Sequence, residues 1–353
     1  MPSSAPFLRL LPLLLAGLLP PGLRAQAPPE FRALWVDAFN PGFKTPAQVR
    51  QLAADARRGH FNALIVQMRR RGDAFYHSTL EPRAAELAPG FDPLAELLRE
   101  ARDTDAGPRL EVHAWIVTYN IWNQQHTPPP QADHPYRRHP DWLTENHAGQ
   151  RWGDGNYAFD PAHPAVQEHT VRVALDLVTR YDVDGFHWDY IRYNGRAWGY
   201  NPVAVVRFQR RTGRADRPAP DDPQWLQFRR DEVTALVRRT YLELLARRPA
   251  LKVSAATITF APGITTTAQW PASAAYGEVL QDWRAWLEEG LLDLNVPMAY
   301  FDQRQYAPAW ANWSLFAKDH AYGRHLALGG ALYLNTISNS LGQLRSTRTA
   351  TPA

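Results

Sequence analysis

Asp189 closes a stretch whose residue types and spacing already imply chemistry. Residues 181 to 193 read Tyr-Asp-Val-Asp-Gly-Phe-His-Trp-Asp-Tyr-Ile-Arg-Tyr, and a turn follows at Asn194 and Gly195. In a strand, side chains alternate between faces. Gly185, His187 and Asp189 then share one face, and Phe186, Trp188 and Tyr190 the other. The first face is small or polar and ends on a carboxylate, while the second is large and apolar. A strand lining the inside of a parallel barrel has this form, with chemistry at its C-terminal end. A half-buried antiparallel strand capped by Asp184 and Asp189 would alternate in the same way. A second chemistry also fits the residue types. His113, His187 and Asp189 could converge on a divalent metal and make a metal-dependent hydrolase or deacetylase. The first strand carries no H-x-H, which the best-known metallo-barrels have there. The reading therefore calls for no metal and no cofactor.

The elements that must position these residues follow a repeating order. Phe31 to Phe39 reads as a first strand with Trp35 and Asp37 on one face. Thr45-Pro46 starts a helix as N-cap and first residue, and Gly59 stops it. Asn62 to Arg70 is a second strand whose face of Ile65, Gln67 and Arg69 turns polar toward its end, before the loop holding Asp73. Asp92-Pro93 opens the next helix. Leu110 to Asn120 is a third strand, with His113 and Trp115 on one face and Tyr119 at its end. Residues 121 to 160 are rich in Pro, His, Asn and Trp and read as a long inserted loop, which after a strand is usually functional. A helix from His163 leads to the fourth strand, ending on Asp189. Further strands are expected at Lys252 to Thr259, Asp293 to Tyr300 and His325 to Leu334, with helical stretches between them. Arg229 and Arg230 read as solvated charges on a basic helix.

Strands alternating with helices argue for a parallel sheet with crossover helices. Polar and aromatic residues end at least five of the strands, which favours a closed TIM-type barrel over a doubly wound sheet with one switch point. No G-x-G-x-x-G or P-loop follows the first strand, so a nucleotide fold has little support.

Composition narrows the class. The 353 residues are 45% apolar and 21% charged, enough for one large core. No basic run is interleaved with aromatics, so no nucleic-acid partner is expected. Thirteen Trp and 14 Tyr supply flat rings that suit sugar faces or barrel packing. The absence of cysteine leaves no residue for a lipid-modified anchor or a structural disulfide. Residues 7 to 19 are an apolar run, and Ala25-Gln26-Ala27 is a cleavage pattern, so residues 1–27 are expected to be a secretory signal peptide. Residues 28–353 are then a single barrel domain, secreted or in the periplasm or cell envelope. Loss of Arg9 and Arg24 lowers the formal charge from +4 to near +2. No stable membrane anchor is expected, and no protein partner can be named.

Ordered blocks now carry a resemblance. They are Phe31-Arg-Ala-Leu-Trp-Val, Asn62-Ala-Leu-Ile-Val-Gln-Met-Arg, Gly72-Asp-Ala-Phe-Tyr, Leu110-Glu-Val-His-Ala-Trp, His139-Pro-Asp-Trp, Asp184-Gly-Phe-His-Trp-Asp, Phe228-Arg-Arg-Asp and Asp293-Leu-Asn-Val-Pro-Met-Ala-Tyr. Over residues 31 to 345 the chain resembles the glycosyl-hydrolase-like ten family of exported bacterial proteins. The resemblance implies a TIM-type (β/α)8 barrel and glycosidase-like chemistry. It makes a polysaccharide the substrate, with peptide-stripped glycan strands of peptidoglycan leading. Such hydrolysis uses two carboxyl groups flanking the bond. Asp189 is the first candidate, at the position where similar barrels keep a nucleophile, with His187 expected to hydrogen-bond it and set its pKa. Asp302, just past the sixth strand, is the expected general acid, with Asp73 and Asp37 as rivals. Gln67, Arg69, His113, Trp115, Tyr119 and Tyr300 are the expected substrate contacts. A non-catalytic glycan-binding barrel is the remaining alternative. Family members continue with an eighth strand, whereas seven are counted here. A gap is therefore expected between strands seven and one, where the edges would stay unpaired.

Overall fold

The computed structural model describes residues 30–350, so the signal peptide expected at residues 1–27 lies outside the described residues. In chain order the elements are β1 (Ala33–Val36), α1 (Pro46–Arg58), β2 (Ala63–Arg69), α2 (Pro93–Arg102) and β3 (Glu111–Val117). The inserted segment holds β4 (Asn120–Trp122), α3 (Pro135–Arg138) and β5 (Tyr157–Ala158). Then come α4 (Pro164–Arg180), β6 (Gly185–Asp189), α5 (Pro202–Thr212), α6 (Pro223–Arg247) and β7 (Lys252–Thr257). The last elements are α7 (Trp283–Glu288), β8 (Leu294–Ala299), α8 (Gln303–Asp319), β9 (His325–Leu326), β10 (Gly329–Gly330) and α9 (Ile337–Ala350).

The helix starts follow from local chemistry. Each of α1 to α6 opens on a capping side chain followed by proline: Thr45, Asp92, His134, His163, Asn201 and Asp222 accept from backbone N–H groups of the first turn. Those groups have no partner inside the helix, and proline lacks an N–H to leave orphaned. No helix of the described residues is long and apolar enough to cross a membrane.

The strands form a curled parallel sheet in the order β1-β2-β3-β6-β7-β8-β10, with β9 also pairing with β8. Register puts Trp115 and Ser254 on either side of His187, and Val117 beside Asp189. On the outer face of β6, Phe186 and Trp188 are fully buried in one large apolar cluster with α4 residues Val171, Ala174 and Leu177 and α6 residues Val233 and Leu236. The alternation read from the sequence thus reflects two different environments, helices outside and the barrel interior inside.

The last strand differs from the expected run His325 to Leu334. It is broken into β9 and β10, and Leu332–Leu334 forms a 3-10 turn. The break falls at Ala327 and Leu328, just before Gly329, where the Trp35 indole of β1 comes so close that a Cβ would stand 2.2 Å from it. Among the described residues no backbone ladder joins β10 to β1. The Trp35 ring lies across this seam, packing on Gly329 and edge-on to Tyr300 at 5.9 Å. Thr336 caps α9, its Oγ1 accepting from the Asn339 N–H at 3.2 Å. Residues 121–160 are more ordered than a loop. β4 and β5 pair antiparallel, and Leu143 bridges to Phe159. Elements of two to four residues are too short to leave a periodicity.

Candidate active site

The barrel interior is built in layers on β3 and β6. At the bottom, Lys252 Nζ meets Glu111 Oε1 at 2.6 Å, and His113 Nε2 lies 3.1 Å from Glu111 Oε2. The His113 ring occupies the space beside Gly185, where a Cβ would approach its Nδ1 to 2.0 Å. Glycine on the inward face is thus a requirement of space.

One layer up, His187 is wholly buried. Trp35 Nε1, which can only donate, stands 3.2 Å from His187 Nε2. The ring proton therefore sits on Nδ1, which donates to Ser254 Oγ at 2.8 Å. Burial, and then the neighbouring His113, pushes the His187 pKa down to about 3, so the layer stays uncharged. This corrects the expected His187–Asp189 bond: both ring nitrogens are engaged elsewhere.

Asp189 tops the column and is 6% exposed. Its Oδ2 accepts from Trp115 Nε1 at 3.1 Å and its Oδ1 from the Tyr190 N–H at 2.7 Å. Burial raises its pKa to about 6, against the lowering pull of Arg192, the Tyr190 N–H and Trp115. Tyr190, which donates that N–H, has φ +49°, an uncommon value for a residue with a side chain. Strain of this kind collects at functional sites, and here it sits directly beside the carboxylate.

The other expected carboxylates are engaged. Asp302 caps α8 through the Arg304 N–H at 2.9 Å and is forked by Arg304 Nε and Nη2 at 3.1 and 2.7 Å. Arg304 holds its pKa below the usual value. Asp37 accepts from the Phe39 and Asn40 N–H groups at 2.7 and 2.9 Å. Burial raises its pKa, but the hydrogen bonds from Asn40 and Phe39 outweigh that and leave it lowered. Asp73 pairs with Arg70 at 2.6 Å and accepts from the Arg71 N–H.

Several expected substrate contacts lie inside the structure. Arg69 is buried and forks Glu81 at 2.7 and 2.8 Å, while its Nη1 donates to the Val117 and Thr118 carbonyls. Gln67 Oε1 accepts from the Ala38 N–H at 2.8 Å and ties the end of β1 to β2. Tyr119 is 1% exposed with its hydroxyl buried, and His113 belongs to the lower layer. Arg69 and Gln67 brace strand ends, and none of the four presents itself to a ligand. Trp115 reaches Asp189, and Tyr300 stands at the rim with its phenol pKa raised by burial and by the nearby charge of Asp189. Arg229 is not solvated. It is fully buried and donates to the Arg196, Trp198 and Pro220 carbonyls, and burial lowers its pKa to about 10. Among the described residues no group of three or more His, Cys, Asp or Glu side chains is placed to hold a metal ion, so His113, His187 and Asp189 do not converge as a triad.

Sequence reasoning missed Ser254, Tyr190, Arg192 and, apart from Tyr300, the mouth's aromatic rim. Phe39, Phe260, Tyr300 and Tyr333 follow the C-terminal ends of β1, β7, β8 and β10, and all are exposed. Arg71 lies over the Phe39 ring at 4.6 Å and Arg192 over the Tyr190 ring at 4.4 Å. Arg192 also buries its Nε without a hydrogen-bond partner. The available signal was position: each of these residues lies within a few residues of a strand's C-terminal end.

A model of the family described as glycosyl hydrolase-like 10 matches residues 30–320. The chain belongs to that family. Glycosyl hydrolase YngK of Bacillus subtilis (strain 168) is 27% identical to this family member over 354 residues, covering 88% of it. The chain spans 62% of YngK's own length. The catalytic domain of a beta-amylase from Paenibacillus polymyxa superposes with TM-score 0.63 at 11% identity, covering 90% of this chain and 89% of that one. The PgaB (BpsB) glycoside hydrolase domain from Bordetella bronchiseptica superposes with TM-score 0.59 at 14% identity, covering 90% and 92%. At these identities the two structures are alike in fold. The TIM-type barrel read from strand–helix alternation is the fold this chain has.

Proposed function

We propose that this chain is an exported glycoside hydrolase that cuts glycan strands of the bacterial cell wall, with residues 28–353 acting as one catalytic domain. The observation that carries this reading is the setting of Asp189. A buried carboxyl with a pKa of about 6 stands at a barrel mouth ringed by exposed aromatics and by two arginines. Aromatic faces take the apolar side of sugar rings. Guanidinium groups suit carboxylates, which peptide-stripped wall glycan carries on its lactyl ethers.

The mechanism uses two carboxyl groups whose environments push their pKa values apart, the pattern that separates acid from base. Asp189 keeps its proton near pH 6 and gives it to the leaving oxygen as the glycosidic C–O bond breaks. Asp302, held ionised by Arg304, takes the proton of the water that supplies the new hydroxyl at the anomeric carbon. This assignment reverses the roles expected from the sequence, because burial acts on Asp189 and an arginine acts on Asp302. Asp37 and Asp73 keep the loops after β1 and β2 in shape.

The test is incubation of the protein with purified, peptide-stripped wall glycan in the presence of EDTA, followed by mass analysis of what is released. Soluble oligosaccharides with new reducing ends are the expected product. A protein that retains the glycan and releases nothing would instead be a binding barrel. Cleavage that disappears with EDTA and returns with zinc would mean a metal-dependent enzyme.

A further inference from the structure

The inserted segment contains a cleft of about 790 Å³, within the range of small-molecule and cofactor sites. Its lining includes Tyr136, Arg137, Gln150, Arg151, Trp152 and Tyr157, and none of Asp189, Trp115, Tyr300 or Asp302. The three aromatic rings are continuous. Tyr136 and Tyr157 are 5.1 Å apart between centroids, and Trp152 and Tyr157 are 5.0 Å apart. All three are half-buried, with part of each left accessible.

The cleft is preformed. The β4–β5 ladder and the Gly153–Asn156 bridge hold its frame. The Tyr157 hydroxyl donates to the Gln125 carbonyl at 3.2 Å. Arg137 is anchored by the Pro129 carbonyl at 2.8 Å, and Arg151 by Glu145 at 2.9 and 3.0 Å. Side chains already held in place lose little freedom when a ligand arrives.

We propose that this cleft is an auxiliary glycan-binding site, which holds a segment of an anionic polysaccharide apart from the bond being cut. Flat rings pack on sugar faces, amide and guanidinium forks meet hydroxyls, and the cationic rim selects chains that carry carboxylates. The ligand class rests on the proposed glycosidase function. The segment starts three residues after β3, the strand whose Trp115 holds Asp189. A chain long enough to reach from the cleft to the mouth would occupy both, while a short one fills only one of them. Two linked sites strengthen capture of the long chain without new contacts at the mouth.

The experiment compares wild type with Trp152→Ala and Arg137→Glu, using insoluble peptide-stripped wall glycan for binding and a soluble tetrasaccharide of the same glycan for cleavage. Arg137 is exposed, so its substitution leaves the fold in place even if Trp152→Ala does not. The expected result is a loss of polymer binding of about tenfold or more, with tetrasaccharide cleavage and melting temperature unchanged in Arg137→Glu. Unchanged polymer binding in the folded variants overturns the proposal. So does a parallel fall in tetrasaccharide cleavage, which would make the cleft part of the catalytic groove. If the variants lose polymer binding while wild type cuts neither substrate, the auxiliary site stands and the glycosidase reading falls.

Discussion

Asp189→Asn is expected to lower glycan cleavage by about 10²- to 10⁴-fold, the usual contribution of a positioned proton donor, and to flatten the dependence of stability on pH. The second effect follows from burial. In the unfolded chain this carboxyl titrates near 3.8, and in the folded chain at about 6. Between those values the folded state binds more protons, so its stability falls as pH rises through the window and levels off above it. The shift corresponds to a loss on the order of 3 kcal/mol at neutral pH relative to pH below 4. Asparagine cannot ionise, so the variant lacks this loss. Asp160, buried and also raised to about 6, is common to both proteins and cancels in the comparison. Urea melts of the two proteins at pH 4 and pH 7.5, with cleavage assays beside them, read both effects. A variant of full activity would remove Asp189 from the chemistry. Identical pH slopes would mean that the carboxyl is not held in the buried, raised state described here.

The second large effect lies in stability alone. Arg69 and Glu81 are both buried and paired, and His169 approaches Glu81 at 2.9 Å. Burial alone would raise the Glu81 pKa, but Arg69 and His169 outweigh it and hold the carboxyl well below its usual range. Arg69→Ala takes the guanidinium partner from buried Glu81 and frees the Val117 and Thr118 carbonyls at the end of β3. Breaking a buried pair costs about 3–5 kcal/mol, a large fraction of the roughly 5–15 kcal/mol that a folded domain has to spare. Arg69→Met with Glu81→Leu removes both charges at similar volume and should recover most of the loss. Thermal melts of the single and double variants check this. A stable Arg69→Ala protein that binds glycan weakly would instead make Arg69 a ligand contact.

The Arg69 example shows how far sequence could lead. Its place at the end of the second strand was legible, because a polar end to an apolar run is a one-dimensional pattern. Its use was not legible, because the partner that neutralises it lies twelve residues on, in a loop without periodicity. The same division holds at His187. Alternation put it on the inward face beneath Asp189, but Trp35 and Ser254, which satisfy its ring, come from strands 152 and 67 residues away. The helix starts were readable because cap and proline are adjacent. The close packing on Gly329 was not, since it depends on an indole arriving from the other end of the sheet. Barrel membership thus follows from local periodicity, whereas the state of each side chain depends on partners that only the folded sheet brings together.

The central claim is that Asp189 gives up a proton at the barrel mouth, and the pH dependence of kcat/KM on peptide-stripped glycan tests it most directly. A bell is predicted, because such profiles report the free enzyme's essential acid and base. Its alkaline limb should fall through about pH 6 as Asp189 loses its proton, and its acid limb should lie below the ordinary aspartate range, because Arg304 lowers the pKa of Asp302. A rate that instead climbs through pH 6 and holds to pH 8 would contradict the account, because it would require Asp189 to act as the ionised partner.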